Sequence, residues 1–110
     1  MMKNMRTLNL AISAAACTLL CAPTAGFSAD ASAVAAKYNC QTCHAVDKKL
    51  VGPAYKEIAA KYEKDAAAPA RLQQKVKAGS TGVWGPVPMP PTNVPDADLK
   101  TIVAWILAQK

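Results

Sequence analysis

Histidine is almost absent from this chain, since His44 is the only one among its 110 residues. A centre that needs two histidines is therefore excluded, and so is a second histidine for acid-base work. Strand signals are missing as well, and the sequence has no internal repeat. Because 110 residues suffice for one small domain and no more, these absences predict a single all-α domain.

A long apolar run is also missing. The apolar run near the N-terminus, residues 8–20, is too short for a comfortable membrane span, which needs about 20 residues. Lys3 and Arg6 precede it, and Pro23 with several small residues follows it. This is the layout of a secretory signal peptide.

We assign residues 1–29 to the signal peptide and residues 30–110 to the domain that remains after export. Cleavage is expected near Ala29, with the triplet ADA at residues 29–31 as a competing site. An uncleaved membrane anchor is the main alternative. A lipoprotein attached through Cys17 fits the pattern poorly, because such sites prefer a leucine three residues earlier.

Export leaves few residues that could carry chemistry. Cys17 and Cys21 go with the signal peptide, so that Cys40 and Cys43 are the remaining cysteines and Met89 is the remaining methionine. Eleven basic and seven acidic residues also remain, a net charge of +4. Because an exported chain occupies an oxidising space, the two thiols should be bridged, bound to a metal or attached covalently to another group.

The exported part is also too small to stabilise itself easily. It holds only five aromatic residues in about 81 positions. A disulfide between Cys40 and Cys43 would close too short a loop to contribute much. A large apolar cofactor would supply the missing core.

Four helices are predicted, at residues 30–38, 53–63, 69–78 and 96–109. Asp30 and Ser32 are the candidate N-caps of the first helix. Pro53 and Pro69 open the second and third, and Gly79 ends the third. The last helix carries the clearest apolar stripe.

The segment between the last two helices, residues 79–95, contains three of the five glycines and five of the eight prolines. Because proline fixes φ and removes a backbone donor, this segment cannot be a helix or a central strand. A linker would join nothing at this position, since only one helix follows. We interpret the segment as a stiff loop that holds Met89 in place over the domain.

The stretch CQTCH, residues 40–44, has the spacing of a c-type haem attachment site. Two thiols in this spacing reach the two vinyl groups of a porphyrin, and the next residue, His44, is carried under the iron. A zinc site would need four ligands, and the exported chain has only Cys40, Cys43 and His44. A redox dithiol would need a βαβ context, for which no strand signal exists.

Elimination then favours Met89 as the second ligand of the iron. No other histidine is available, and methionine is the usual partner in cytochromes c. A single methionine is more often core filler. Here Met89 is the only exported methionine and it lies in the stiff loop.

Residues 38–110 resemble a small bacterial monohaem class I cytochrome c, of the short kind that serves periplasmic reductases or terminal oxidases. The resemblance is carried by four stretches: CQTCHAVD, VGPAYKEIAAKY, GVWGPVPMPP and AWILAQK. It implies the class I cytochrome c fold, about four helices around one covalent haem c, with the N- and C-terminal helices in contact.

The resemblance also implies roles for seven residues. Cys40 and Cys43 would be thioether anchors, and His44 and Met89 the axial ligands of the haem iron. The Pro53 carbonyl would accept a hydrogen bond from the far ring nitrogen of His44. The remaining two would bind a haem propionate, namely Trp84 and Lys75.

Three positions depart from the pattern of the relatives. Asn39 replaces a glycine that often precedes the first cysteine, and asparagine tolerates left-handed backbone better than most residues. Thr92 stands where relatives often place an asparagine that hydrogen-bonds the methionine sulfur, and Asn93 lies one place later.

The expected function is one-electron transfer in the periplasm, without enzymatic activity. The expected partners are redox proteins: a periplasmic reductase or terminal oxidase, and a donor of the cytochrome bc type. A lysine-rich face would meet them, formed by Lys37, Lys48 and Lys49 and extended by Lys75 and Lys77. The alternative is a solvated lysine face that serves only solubility. We expect a monomer that neither binds nucleic acid nor inserts stably into a membrane.

The alternative functions are those of a catalytic or gas-binding haem protein, in which Met89 leaves the iron, and of a thiol oxidoreductase.

Overall fold

The structure is a computed structural model, and it describes residues 29–110. The predicted signal peptide lies almost wholly outside the described residues. Four α-helices follow one another along the chain: α1 (Ala29–Lys37), α2 (Tyr55–Lys61), α3 (Ala68–Ala78) and α4 (Asp96–Leu107). A short 3₁₀ turn, Cys40–Thr42, lies between α1 and α2. Within residues 29–110 there is no strand, which confirms the all-α prediction.

Helix α4 is the centre of the fold, since it packs against α1, α2 and α3. Its predicted apolar stripe is buried: Leu99, Ile102 and Val103 are each at most 2% exposed. Burying a side chain of this kind contributes about 1.5–3 kcal/mol. The contact of α1 with α4 confirms that the first and last helices of the domain pack together.

A hydrogen bond reinforces this helix pair. The Tyr38 hydroxyl, just after α1, donates to Oδ2 of Asp98 at 2.5 Å. Asp98 lies in the first turn of α4, where a carboxylate also interacts favourably with the helix dipole.

The observed starts of α1, α2 and α3 differ from the predicted ones. Asp30 and Ser32 cannot be N-caps, because α1 begins at Ala29 and contains both. Helix α2 begins at Tyr55 and not at Pro53. The reason is that the Glu57 carboxylate accepts the backbone N–H of Ala54 at 3.0 Å, which starts the helix after that residue.

Helix α3 ends at the predicted residue and begins one residue before the predicted start, at Ala68. Pro69 lies in its first turn, and Gly79 follows its last residue with φ +79°. A β-carbon at Gly79 would lie 2.8 Å from the carbonyl oxygen of Met89. The glycine is therefore required both by its backbone conformation and by the close approach of the loop.

None of the helices formed by residues 29–110 is long and apolar enough to cross a membrane.

Candidate functional site

All seven predicted site residues line one cavity, which has a volume of about 360 Å³. A volume of this size is typical of small-molecule and cofactor sites. The cavity is mainly apolar, and its walls come from three helices: Tyr55 and Ile58 of α2, Leu72 and Val76 of α3, and Leu99, Ile102, Val103 and Ile106 of α4. The site residues that line it are Cys40, Cys43, His44, Pro53, Lys75, Trp84 and Met89.

The two cysteines lie on a tight turn that begins at Asn39. Asn39 adopts the left-handed conformation, with φ 60° and ψ 22°, and is the only non-glycine residue in the described part with positive φ. This agrees with the expectation that asparagine replaces glycine there. The N–H of His44 then donates to the Cys40 carbonyl at 3.0 Å. The turn thus directs three chemical groups, two thiols and an imidazole, into one cavity.

Cys40 and Cys43 are half-buried and are not joined by a disulfide. Burial raises the pKa of the Cys40 thiol above its ordinary value. The chain therefore presents the cavity with two free sulfur groups three positions apart.

The imidazole of His44 is held in one orientation. Its Nδ1 lies 2.7 Å from the carbonyl oxygen of Pro53. Because a carbonyl can only accept, Nδ1 is the donor in this hydrogen bond, and in the neutral imidazole Nε2 is the nitrogen left to bind a metal. This is the contact that the resemblance implied.

Two neighbours pack against the imidazole. Tyr55 stacks on it with ring centroids 5.5 Å apart and an interplanar angle of 22°. Gly52 backs directly onto it, since a β-carbon at Gly52 would lie 2.5 Å from Cε1 of His44. Sequence reasoning assigned no role to Gly52. The one feature of the sequence that could have indicated its contact with His44 is its position just before Pro53.

Tyr55 carries an unusual hydroxyl. The residue is 1% exposed, and its ring meets that of Trp105 edge-on, with ring centroids 5.1 Å apart. Its hydroxyl is the only buried side-chain N or O atom in residues 30–110 without a hydrogen-bond partner. Burial raises its pKa far above the ordinary range, so that the group stays a neutral donor. Sequence reasoning assigned Tyr55 no role at the site.

Met89 is held by the backbone of Ser80. The N–H of Ser80 donates to the Met89 carbonyl at 3.0 Å, and the N–H of Met89 donates to the Ser80 carbonyl at 2.8 Å. Such a paired bridge fixes the position of both residues. The predicted stiff loop therefore does position Met89 at the cavity.

Thr92 does not take over the role that relatives give to asparagine. Its hydroxyl donates to the Val76 carbonyl at 2.9 Å, and its backbone N–H donates to the same oxygen at 3.1 Å. Thr92 therefore binds the end of α3.

Trp84 and Lys75 both line the cavity. Both are half-buried. The ammonium group of Lys61 lies 5.4 Å from the centroid of the Trp84 ring, a cation–π distance. Lys61 thus stands next to this tryptophan, and no pattern in the sequence predicts the contact.

Apolar side chains surround the cavity. The four large hydrophobic residues that are most exposed in the described part all line it: Leu50, Val51, Val83 and Val87. An exposed patch of this kind indicates an interaction site. Sequence reasoning missed it because these residues lie in non-periodic segments.

The predicted lysine face needs one correction. Lys49 lines the cavity and Lys48 is exposed beside it. Lys77, however, forms an ion pair with Asp96 at the start of α4, and it lines a separate groove between α3 and α4. Lys77 therefore lies at this second groove and does not extend the face at the cavity.

Comparison with known proteins agrees with this geometry. The family model described as cytochrome c matches residues 28–110. The chain belongs to the cytochrome c family. Cytochromes c are haem proteins of electron transport, and the family carries one covalently attached c-type haem.

Individual cytochromes c are closely similar. Cytochrome c-551 of Pseudomonas aeruginosa is 55% identical over 71 residues, which are 64% of this chain and 68% of that protein. Cytochrome c-552 of Nitrosomonas europaea is 53% identical over 88 residues, 78% of this chain and 84% of that protein. The crystal structure of the Nitrosomonas europaea cytochrome c552 matches with a TM-score of 0.70 and 52% identity, over 72% of this chain and 99% of that one.

The residues present suit a haem of this type. The cavity offers two thiols, an imidazole with a free Nε2, a thioether and a mainly apolar wall. A buried, unpartnered donor on that wall, the Tyr55 hydroxyl, is consistent with a cavity that a further group completes.

Proposed function

We propose that the protein is a periplasmic one-electron carrier whose haem is attached through Cys40 and Cys43 and ligated by His44 and Met89. The observation that carries this proposal is that all four side chains line one cavity while Pro53 fixes the tautomer of His44. The chemistry that the haem supplies when bound is the exchange of one electron between its ferric and ferrous forms.

The chain's contribution on the histidine side is orientation. The Pro53 carbonyl accepts a hydrogen bond from Nδ1 of His44, while Gly52 and Tyr55 restrict rotation of the ring. A ligand held in this way changes little between oxidation states. The reorganisation that accompanies electron transfer is therefore kept small, and the basicity of the ligand is raised by its hydrogen bond.

On the opposite side the chain supplies the thioether of Met89 and holds it at the cavity. The bridge to Ser80 and the surrounding prolines leave Met89 little freedom. Methionine ligation raises the reduction potential relative to a stronger donor. With His44 and Met89 both bound to it, the iron would offer no open position to a substrate, so we propose an electron carrier and not an enzyme.

Trp84 and Lys75, which both line the cavity, would bind the propionate groups. Trp84 offers an indole N–H and Lys75 an ammonium group, both at the cavity wall. A charge-assisted hydrogen bond of this type is about twice as strong as a neutral one. Lys61, next to the Trp84 ring, adds a positive charge nearby.

Partner proteins would approach the apolar rim of the cavity, where Lys48 and Lys49 provide positive charge. Such a surface suits brief encounters, because complementary charge raises the rate of association more than the affinity. We propose a periplasmic reductase or terminal oxidase as acceptor and a cytochrome bc-type protein as donor. The signal-like segment at residues 1–29 supports the periplasmic location.

The proposal is tested by a redox titration of the protein purified from the periplasm. A single reversible one-electron step is expected, together with haem that stays bound on a denaturing gel. In a Cys40→Ser, Cys43→Ser variant the haem should be lost from the gel. Haem that is attached to the variant, or an exported protein without haem, would refute the proposed attachment.

A further inference from the structure

The carbonyl of Val76, near the C-terminal end of α3, accepts hydrogen bonds from Thr92, which lies sixteen positions later in the chain. The last four carbonyls of a helix have no partner within it, and that of Val76 belongs to this group. If the helix continued, the N–H of Ser80 would bind this carbonyl, but it donates to Met89 instead. Thr92 supplies the replacement, with its hydroxyl at 2.9 Å and its backbone N–H at 3.1 Å.

Met89 lies between two attachments to this helix end. On one side, Ser80 and Met89 exchange two backbone hydrogen bonds. On the other side, Pro90 and Pro91 alone separate Met89 from Thr92. Because each proline fixes φ and has no N–H, the connection is stiff, and a displacement of Thr92 is passed on to Met89.

We propose that Thr92 is a positioning residue for Met89, and that it acts through its hydroxyl bond to the Val76 carbonyl. This inference rests on the proposed function, in which Met89 is the sixth ligand of the iron. Thr92 holds the Pro90–Pro91 segment on α3, and that segment keeps the thioether in the cavity. When the Thr92 hydroxyl is lost, the loop opens more often and the sixth position is vacated more often.

Cyanide binding to the ferric holoprotein measures these openings, since cyanide can enter only when the sixth ligand has left. Thr92→Val keeps the branched shape and removes the hydroxyl, so we expect cyanide to bind roughly 3–10 times faster, the effect of one lost hydrogen bond. Thr92→Ser keeps the hydroxyl and should bind cyanide at nearly the wild-type rate.

Two control variants separate a local effect from a general loss of stability. Thr101→Val removes a comparable bond, from the Thr101 hydroxyl to the Ala97 carbonyl at 3.2 Å on the exposed face of α4. Tyr38→Phe removes the bond to Asp98 and lowers overall stability. Both should bind cyanide at the wild-type rate. An equal acceleration in either control would overturn the inference, because the effect would then be general.

Failure of the inference differs from failure of the proposed function. If Met89 is the sixth ligand, the wild-type protein binds cyanide slowly and Met89→Ala binds it fast. Within that pattern, a Thr92→Val variant as slow as wild type, or a Thr92→Ser variant as fast as Thr92→Val, overturns the role of Thr92 alone. If wild type and Met89→Ala bind cyanide equally fast, both proposals fall.

Discussion

Gly52 and His44 are in direct contact, since a β-carbon on Gly52 would lie 2.5 Å from Cε1 of the imidazole. Gly52→Ala should therefore displace the ring, weaken its bond to Pro53 and destabilise the holoprotein. Overpacking of this kind typically costs about 1–3 kcal/mol. Denaturant unfolding measures the loss, and the NMR shifts of the His44 ring report its displacement.

Gly82→Ala is the control for this experiment. Gly82 has φ +85°, and a β-carbon at this position would have no neighbouring atom within 4 Å. Its substitution strains the backbone without touching His44. We expect Gly82→Ala to lower stability while leaving the His44 signals in place, and Gly52→Ala to change both. Unchanged His44 signals in Gly52→Ala would contradict the packing described.

The Tyr55 side chain should contribute through its ring more than through its hydroxyl. The ring contacts His44 and Trp105, whereas the hydroxyl has no partner among the described residues. Tyr55→Phe should lower the free energy of unfolding by no more than about 0.5–1.5 kcal/mol, the value of one hydrogen bond to the group that completes the cavity. Tyr55→Ala should cost about 3–5 kcal/mol. A Tyr55→Phe loss close to that of Tyr55→Ala would reveal a strong partner for the hydroxyl in the holoprotein.

Stability at high pH should depend on Tyr38. Its hydrogen bond to Asp98 is the main reason that its pKa is raised in the folded protein. A raised pKa means that the contribution is complete below the unfolded value of about 10 and is lost as pH rises through the folded pKa. Tyr38→Phe should therefore be less stable than wild type at pH 8, with the difference shrinking above about pH 10. A difference that stays constant as the pH rises well beyond that value would contradict this linkage.

The rate of electron transfer to an acidic redox partner should fall as salt rises. Lys49 lines the cavity and Lys48, its neighbour in the chain, is exposed. Charges are screened over about 10 Å at 0.1 M salt. The double variant Lys48→Glu, Lys49→Glu should be slower at low salt and less sensitive to salt. The matched control is Lys77→Glu, Lys100→Glu, which makes the same change in charge at the groove between α3 and α4. Equal slowing in both variants would show that net charge matters and the rim does not.

The sequence predicted most of the fold because helices are encoded locally. The stripe of α4, Pro69 and Gly79 at the ends of α3, and the left-handed Asn39 all depend on neighbours within a few positions. The start of α2 was misplaced because Glu57 selects it through a side-chain bond.

For the site, too, the sequence predicted the local features and missed the contacts between distant parts of the chain. The attachment turn is a local motif and could be read directly, and Met89 followed from the lack of any competitor. The bond from Thr92 to Val76, the stacking of Lys61 on Trp84 and the pairing of Lys77 with Asp96 span 16, 23 and 19 positions. Such contacts are set by the packing of the loop on the helices, which no local pattern encodes.

The absorption spectrum of the ferric holoprotein tests the central claim, ligation of the iron by His44 and Met89, most directly. Methionine coordinated to ferric haem gives a weak charge-transfer band in the red. We predict that this band is present in the wild-type protein at neutral pH and absent from Met89→Ala, whose haem remains attached and whose reduction potential is lower. A wild-type protein without the band, or a Met89→Ala variant that retains it, would contradict the account.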